Sequence, residues 1–254
     1  MLARQFFREN ALLALGYFLL LQLALVPAIL FWPDFRENIP TLTKLVPFVT
    51  LQRVMEAIEK GAFWPYFCMQ HFFKGCSLFG LAAAAIIGSG LIAREPDQGT
   101  AEFLLSRPVT RRRILLTRWA VGGAFVTVPI FLSSLGGLLI SPLVDESLPL
   151  GPILIGSAYM SLFILMLFTF TVWMSAGFDH QMRAGTILIG FMLLQFSFYI
   201  MKVLNRYSLF YPVDVDHLLP IESGAFPWFW SGIFLGVTAV FLGLAVRRFE
   251  KRDF

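Results

Sequence analysis

Six stretches of this 254-residue sequence contain no Asp, Glu, Lys, Arg or His and are long and apolar enough to cross a lipid bilayer. A spanning helix needs about 20 apolar residues, because lipid offers no partners to backbone polar groups. We therefore predict an all-α fold, with one polytopic membrane domain formed by residues 1–254. The predicted spans are about 11–31, 75–93, 119–140, 152–176, 184–201 and 226–246.

The composition excludes two broad classes of protein. Hydrophobic residues make up 57% of the chain and charged residues 14%, whereas a soluble domain carries about 25% charged residues. A water-soluble globular protein and a disordered chain are both excluded. The net charge of +4 suits anionic lipid headgroups, and the sequence contains no aromatic-and-basic nucleic-acid motif. We expect membrane lipid, and no nucleic acid, among its partners.

Basic residues predict the orientation, because cytoplasmic loops are enriched in Lys and Arg. With both termini in the cytoplasm, thirteen basic residues lie inside and seven outside. We therefore expect cytoplasmic termini and a multi-pass location in the inner (plasma) membrane. The inside set is Arg4, Arg8, Arg94, Arg107, Arg111, Arg112, Arg113, Arg118, Arg183, Arg247, Arg248, Lys251 and Arg252. The outside set is Arg36, Lys44, Arg53, Lys60, Lys74, Lys202 and Arg206.

Two segments beside the spans have amphipathic patterns. In residues 1–10, apolar side chains share one face and Arg4 and Arg8 form an i,i+4 pair, which predicts a short helix in the cytoplasmic membrane interface. A frayed terminus is the alternative. In the long outer connection, residues 32–73, the spacing within residues 51–61 predicts another short interfacial helix.

Small residues at intervals of four mark surfaces where helices approach closely. Gly80, Ala84 and Gly88 form such a ridge in the second predicted span. The pattern predicts either packing within the chain or a dimer seam, and it is silent about any substrate. Similar patterns occur at Ser133, Gly137 and Ser141 and at Gly232 and Gly236.

Several catalytic signatures are missing from the sequence. It contains no GxxxxGK[ST] loop for ATP and no HExxH or GxSxG motif. The uncharged spans also argue against an intramembrane enzyme or an ion-coupled carrier, which place ionisable groups at membrane depth. Gln22 and Gln195 are interpreted as interhelical hydrogen-bond partners rather than substrate ligands. We predict no catalytic residues and no cofactor in this chain.

Two short clusters in the outer connections carry side chains that bind metal ions. One combines sulfur with imidazole, which suits soft ions such as Cu(I), and the other combines carboxylate with imidazole, which suits harder ions. Neither has the spacing of a known site, so a membrane-border segment and a solvated loop are the alternatives. The first cluster is Cys68, Met69 and His71 with Cys76 nearby, and the second is Asp214, Asp216 and His217.

The connection between the second and third predicted spans carries the most information. Residues 95–97 include Pro96 and are predicted to end the second helix. Residues 98–106 then predict a short amphipathic helix from which Phe103 and Leu104 project, and Thr110 is a suitable N-cap for the next helix. This pattern is typical of a docking element at the cytoplasmic face. The alternative is an interfacial helix that anchors the loop through its arginines.

The same segment resembles the cytoplasmic loop of the ABC type-2 permease family. The shared pattern is E-x-D-x-G-T-x-E-x-L-L-S-x-P-V-x-R-R, placed directly after the second span. Residues 177–183 occupy the position of a second cytoplasmic contact, and residues 211–222 resemble the family's proline-bearing outer loop. The matching residues are Glu95, Asp97, Gly99, Thr100, Glu102, Leu104, Leu105, Ser106, Pro108, Val109, Arg111 and Arg112.

The resemblance implies the permease subunit of an ATP-driven transporter, by expectation an exporter. It implies a separate ATPase subunit, usually in two copies that hold ATP and magnesium, and a dimer of permeases. Family members export peptides, lipids, glycans or drugs, or help to mature copper enzymes such as nitrous oxide reductase, whose permeases are similar in size. A structural or regulatory membrane protein without transport activity is the alternative. The implied ATPase-coupling residues are Glu95, Gly99, Thr100, Glu102, Phe103, Leu104, Asp179 and Arg183.

Overall fold

The computed structural model describes residues 2–45, 58, 63–97, 99 and 109–252. Within these residues the chain is helical and contains no β-strand, which confirms the predicted all-α class. Six helices are long and apolar enough to span a membrane, and each overlaps one of the predicted runs. The helices are α1 (Leu2–Leu30), α2 (Trp32–Leu45), α3 (Phe63–Ser89), α4 (Arg94–Asp97), α5 (Arg111–Ile140), α6 (Leu150–Ser175), α7 (Gln181–Ile200), α8 (Val215–Leu218) and α9 (Trp228–Glu250).

Helix α6 lies at the centre of the bundle. It packs against α3, α5, α7 and α9, while α1 packs along α5. The apolar window of α6 is 67% buried, whereas that of α9 is 22% buried. Helix α6 is therefore surrounded by the apolar side chains of its neighbours. Most of the apolar surface of α9 faces outward.

The N-terminal segment differs from the prediction. Residues 1–10 were predicted to form a separate interfacial helix, but α1 runs without a break from Leu2 to Leu30. The Nδ2 group of Asn10 donates to the Phe6 carbonyl at 3.0 Å, so this buried polar side chain finds its partner inside the helix. No residue of segment 2–10 interrupts the helical hydrogen bonds, so this amphipathic segment continues directly into the membrane-capable helix.

Helix α3 begins and ends earlier than the second predicted span. It starts at Phe63 instead of Gly75, on the N-terminal side of His71 and Lys74. The first turn of the helix is stabilised because Phe63, Trp64 and Tyr66 are buried in the bundle. The outer connection is correspondingly shorter. The interfacial helix predicted for residues 51–61 lies outside the described residues, except for the buried Ile58.

The early start of α3 places ionisable side chains on a membrane-capable helix. Its section Cys68–Cys76 is wound as a π-helix, and it includes the buried His71 and the exposed Lys74. The expectation that every span lacks such groups is therefore wrong for α3. His71 Nε2 lies 2.8 Å from Ser134 Oγ on α5, so the imidazole joins two helices by a hydrogen bond.

The end of α3 also differs from the prediction. Residues 95–97 were expected to end this helix at Pro96, but α3 ends at Ser89 and a turn leads to the separate short helix α4. Pro96 is the third residue of α4, where a missing backbone N–H is tolerated because the first turn has no intrahelical acceptors for it. Pro96 is therefore not the residue that ends α3.

The ridge of Gly80, Ala84 and Gly88 packs within the chain. A Cβ atom added to Gly80 would lie 2.7 Å from Ile164 Cδ1, and one added to Gly88 would lie 2.9 Å from Thr171 Cβ. Both neighbours belong to α6, and Ala84 between them is fully buried. Of the two predicted uses of this ridge, helix packing is therefore the one observed.

The two glutamines of the predicted spans have different environments. Gln195 Oε1 accepts a hydrogen bond from the Leu209 N–H at 3.0 Å, so it holds the connection that follows its own helix and does not join two helices as predicted. Gln22 of α1 lies against Gly136 of α5, where its amide fills the space that a side chain would need. Gln22 therefore lies at a helix–helix contact.

We expect the substitution Ala84→Leu to destabilise the bundle. The larger side chain has no space between α3 and α6, and overpacking a core usually costs about 1–3 kcal/mol. The thermal unfolding midpoint of the purified protein in detergent should fall.

The matched control is Gly232→Leu in α9, where an added Cβ meets no atom within 4 Å. Its midpoint should stay near that of the parent protein. Equal midpoints for the parent protein and Ala84→Leu would contradict the packing described here.

Candidate functional site

The helix directions alternate along the chain, so one end of the bundle combines the starts of α1, α5 and α7 with the ends of α3, α6 and α9. Basic residues open α5 and close α9. We call this the basic end and define it by residues 2–10, 89–97, 109–118, 175–183 and 246–252. Within it, residues 89–97 form the exit segment, which leads from α3 towards the loop of residues 98–108.

Arg118 joins α5 to the exit segment. Its side chain is buried, and its Nη2 group lies 2.6 Å from Glu95 Oε1 while its Nη1 group donates to the Leu91 carbonyl at 2.9 Å. The guanidinium also stacks over the Phe6 ring at 5.7 Å. The pair is partly buried, so removing one partner would leave the other charge with little compensation. Glu95, a predicted coupling residue, is therefore fixed to α5.

Ser175 joins α6 to the same segment. Its hydroxyl accepts hydrogen bonds from the backbone N–H groups of Ile92 at 3.1 Å and Ala93 at 2.9 Å. It donates to the Ser89 carbonyl at 2.7 Å. The side chain is completely buried. The last residue of α6 thus satisfies three backbone groups at the end of α3.

Asp97 joins the exit segment to α7. Its Oδ1 atom lies 3.0 Å from His180 Nδ1, and its Oδ2 atom accepts from the Gln181 N–H at 3.4 Å. The hydrogen bond from His180 holds the pKa of Asp97 below its ordinary value. A carboxylate at the start of a helix also interacts favourably with the helix dipole. Both side chains are solvent-accessible, so this contact fixes geometry more than it adds stability.

The C-terminal residues close the other side of the basic end. Arg252 Nη2 contacts Asp179 Oδ1 at 2.5 Å and donates to the Phe178 carbonyl at 2.9 Å. Arg111 Nη1, at the start of α5, donates to the carbonyls of Phe249 at 3.3 Å and of Arg252. Phe249 lies in the last turn of α9, where carbonyls have no intrahelical partner, and Arg252 follows the helix. Asp179, another predicted coupling residue, is therefore tied to the C-terminus.

The remaining predicted coupling residues are placed only in part. Gly99 is exposed and has φ +69°, a left-handed conformation that glycine adopts without strain. Arg183 lies exposed in the first turn of α7. Thr100, Glu102, Phe103 and Leu104, with the helix predicted for residues 98–106, lie outside the described residues.

The predicted N-cap of α5 is confirmed. Thr110 has an extended backbone conformation, and its hydroxyl accepts from the Arg113 N–H at 3.4 Å. The loop of residues 98–108 therefore lies between two fixed points, the exit segment on one side and a capped helix on the other.

The first candidate metal cluster lies inside the bundle rather than at the membrane border. Cys68 and Cys76 are buried free thiols, and His71 Nε2 lies 3.8 Å from Cys76 Sγ. Among the described residues, no three His, Cys, Asp or Glu side chains form a group that could hold a metal ion.

The second candidate cluster lies at the opposite end of the bundle. Asp214 is buried and accepts hydrogen bonds from Tyr199 Oη at 2.6 Å and from the Val215 N–H at 2.7 Å. The His217 ring packs against Tyr211 with a centroid distance of 4.8 Å. Burial lowers the pKa of His217. Asp214 organises the connection between α7 and α9 instead of facing solvent.

The sequence did not reveal the side chains that bond several elements of the basic end together. Arg118 counted only as one of many cytoplasmic charges, although its position directly before the apolar run at Trp119 was a signal that it could be buried. Ser175 lay within a predicted span and had no signal at all, because its partners are backbone groups of a distant segment. The contact between Arg252 and Asp179 links residues far apart in the sequence and follows only from the fold.

A comparison of this chain with curated proteins gave no match. A family model described as ABC-2 family transporter protein matches residues 3–254. The match includes all six membrane-capable helices and the basic end, so it does not rest on the loop pattern alone. The chain therefore belongs to the ABC-2 family of transporter membrane proteins.

Proposed function

We propose that this permease subunit belongs to an exporter and receives the work of a separate ATPase subunit at its basic end. The observation that supports this most is the exit segment, which directly precedes the loop of residues 98–108. Arg118 of α5, Ser175 of α6 and His180 before α7 all bind this segment. A displacement of the loop would therefore reach three membrane helices together.

The proposed mechanism is mechanical. ATP binding closes the partner ATPases, which push the helix proposed for residues 98–106. The exit segment passes this displacement to the bundle, and the helices rock between two arrangements that open to opposite sides of the membrane. The partner ATPase favours one arrangement because its contacts with the two differ. The chain itself performs no covalent chemistry.

The proposed coupling residues divide into two groups with different roles. Glu95 and Asp179 transmit force, because Glu95 is tied to Arg118 of α5 and Asp179 to Arg252 in the segment after α9. Thr100, Glu102, Phe103 and Leu104 contact the ATPase directly. Gly99 permits the left-handed turn at the start of the loop, and Arg183 offers an exposed charge at the second contact.

The assembly proposed for the whole transporter contains two permeases and two ATPases, which hold ATP and magnesium. The ridge on α3 is occupied by α6, so the permease dimer must use another surface. Both termini and the basic end face the cytoplasm, and the protein lies in the inner membrane. Its excess of basic residues at that end supports this orientation.

The orientation is tested by reporter fusions. A reporter that is active only in the cytoplasm should be active when fused after Phe254 and inactive when inserted at Asp145 between α5 and α6. The reverse pattern would place the basic end outside the cell, where no ATPase can reach it.

The docking role of the loop is tested by Phe103→Ala combined with Leu104→Ala. Truncating apolar anchors in a partner's groove costs on the order of 2 kcal/mol, or about 30-fold in Kd. The double variant should therefore bind the co-purifying P-loop ATPase at least that much more weakly, and lose transport-coupled ATP turnover. A detergent pull-down measures the binding.

The matched control is Leu143→Ala combined with Val203→Ala. Both side chains are exposed at the opposite end of the bundle, so ATPase binding should not change. Size-exclusion profiles of all variants show whether the bundle stays folded. Loss of folding in the Phe103 and Leu104 variant would favour the anchoring alternative, and normal ATPase binding by a folded variant would move docking to residues 177–183.

A further inference from the structure

The end of α3 is not explained by its own sequence. Residues 89–93 contain one glycine and no proline, and Leu91, Ile92 and Ala93 are all compatible with a helix. Nevertheless the α-helical pattern ends after Ser89, because the Leu91 N–H donates to the carbonyl three residues back, Gly88, at 3.3 Å. The next two N–H groups leave the helix and turn to Ser175.

The hydroxyl of Ser175 uses its full hydrogen-bonding capacity on this segment. A serine hydroxyl has one donor and two acceptor lone pairs. Here the donor goes to the Ser89 carbonyl, and the two lone pairs accept from the Ile92 and Ala93 N–H groups. The last carbonyls of a helix have no intrahelical partner, the Ile92 and Ala93 N–H groups lie beyond the end of α3, and burying either kind of group unpaired is costly. Ser175 is therefore the group that allows α3 to stop at Ser89 inside the protein.

Two other buried hydroxyl groups on α6 donate only within their own helix. Ser157 donates to the Ile153 carbonyl at 2.7 Å, and Thr171 donates to the Leu167 carbonyl at 3.0 Å. Each of these bonds stays within α6, four residues back along the chain. Ser175 instead donates to another helix, so a local role in α6 does not account for it.

Ser175 and Arg118 bind neighbouring backbone groups of the exit segment from two different helices. Arg118 binds the Leu91 carbonyl from α5, and Ser175 binds the next two N–H groups from α6. The peptide group between Leu91 and Ile92 is thus held by two different membrane helices, at its carbonyl by Arg118 and at its N–H by Ser175. Because α6 is the central helix of the bundle, its contact with the exit segment reaches the helices packed around it.

We propose that Ser175 is a positioning residue for energy coupling: its hydroxyl sets the end of α3 and makes α6 move with the exit segment. This inference rests on the proposed function, in which the loop of residues 98–108 receives the ATPase. Without the hydroxyl, the loop still binds the ATPase, but the exit segment loses its direct bond to α6 and passes the displacement to α6 less effectively.

The first test needs only the purified permease in detergent. Ser175→Ala should increase amide hydrogen exchange in the peptide of residues 89–97, because the Ile92 and Ala93 N–H groups lose their acceptor, by about tenfold or more. Exchange in α6 itself should be unchanged. The control Ser157→Ala removes an equally buried hydroxyl from the same helix and should leave residues 89–97 protected as in the parent protein.

The second test uses the permease with its co-purifying P-loop ATPase in vesicles. Ser175→Ala should bind the ATPase with unchanged affinity but lose the increase in ATP turnover that accompanies transport, by about tenfold, whereas Ser157→Ala should keep it. A purely structural role would instead lower the unfolding midpoint and weaken binding and turnover together. If Ser175→Ala does not fold, Ser175→Cys, which keeps the size of the side chain and weakens its bonds, is measured in the same way.

The outcomes separate this inference from the proposed function. Unchanged exchange in residues 89–97, or normal coupling in a Ser175→Ala permease that binds the ATPase, would overturn the role of Ser175 and leave the proposed function standing. A parent permease that binds no ATPase would overturn the proposed function, and the role of Ser175 in coupling with it.

Discussion

A helix that ends inside a membrane protein must find partners for its last backbone groups, and this constraint organises the whole basic end. The end of α3 satisfies it through a side chain of α6, and the end of α9 satisfies it through Arg111 of α5. Both solutions tie neighbouring helices together at the point where the chain leaves the bundle. The rest of the architecture, with α6 in the centre and α3 and α5 beside it, holds these partners in place.

The same contacts connect the family assignment to a mechanism. This chain contains no GxxxxGK[ST] loop, and the proposed source of its movement is a separate ATPase subunit. The loop of residues 98–108 lies between an exit segment bound by three helices and a capped helix start at Thr110. In the proposed mechanism, a push on a segment held in this way moves helices, whereas a push on a loop without such bonds would only bend the loop. The ion pair of Arg118 and Glu95 is partly buried, so water screens it less than an exposed pair of the same geometry.

The amino-acid sequence predicts the helical class, the six membrane helices and the cap at Thr110 because these depend on local composition and spacing. It fails for the start of α3, where burial of aromatic residues extends the helix past His71 and Lys74. It fails again at the end of α3, where Pro96 suggested a local stop and the actual cause is a hydroxyl from α6. The partners of Arg118, Ser175 and Asp179 are distant in the sequence, so no local pattern could reveal them. Four of the proposed ATPase contacts, from Thr100 to Leu104, still rest on the loop pattern and not on described contacts.

The central claim, that an ATPase acts on the loop beside the exit segment, is tested most directly by site-specific photo-crosslinking in intact membranes. A benzophenone amino acid replaces Phe103 in one permease and Leu143, at the opposite end of the bundle, in another. After illumination, the first permease should form a covalent product with a P-loop ATPase, and the second should not. An ATPase product from position 143 and none from position 103 would contradict this account of coupling.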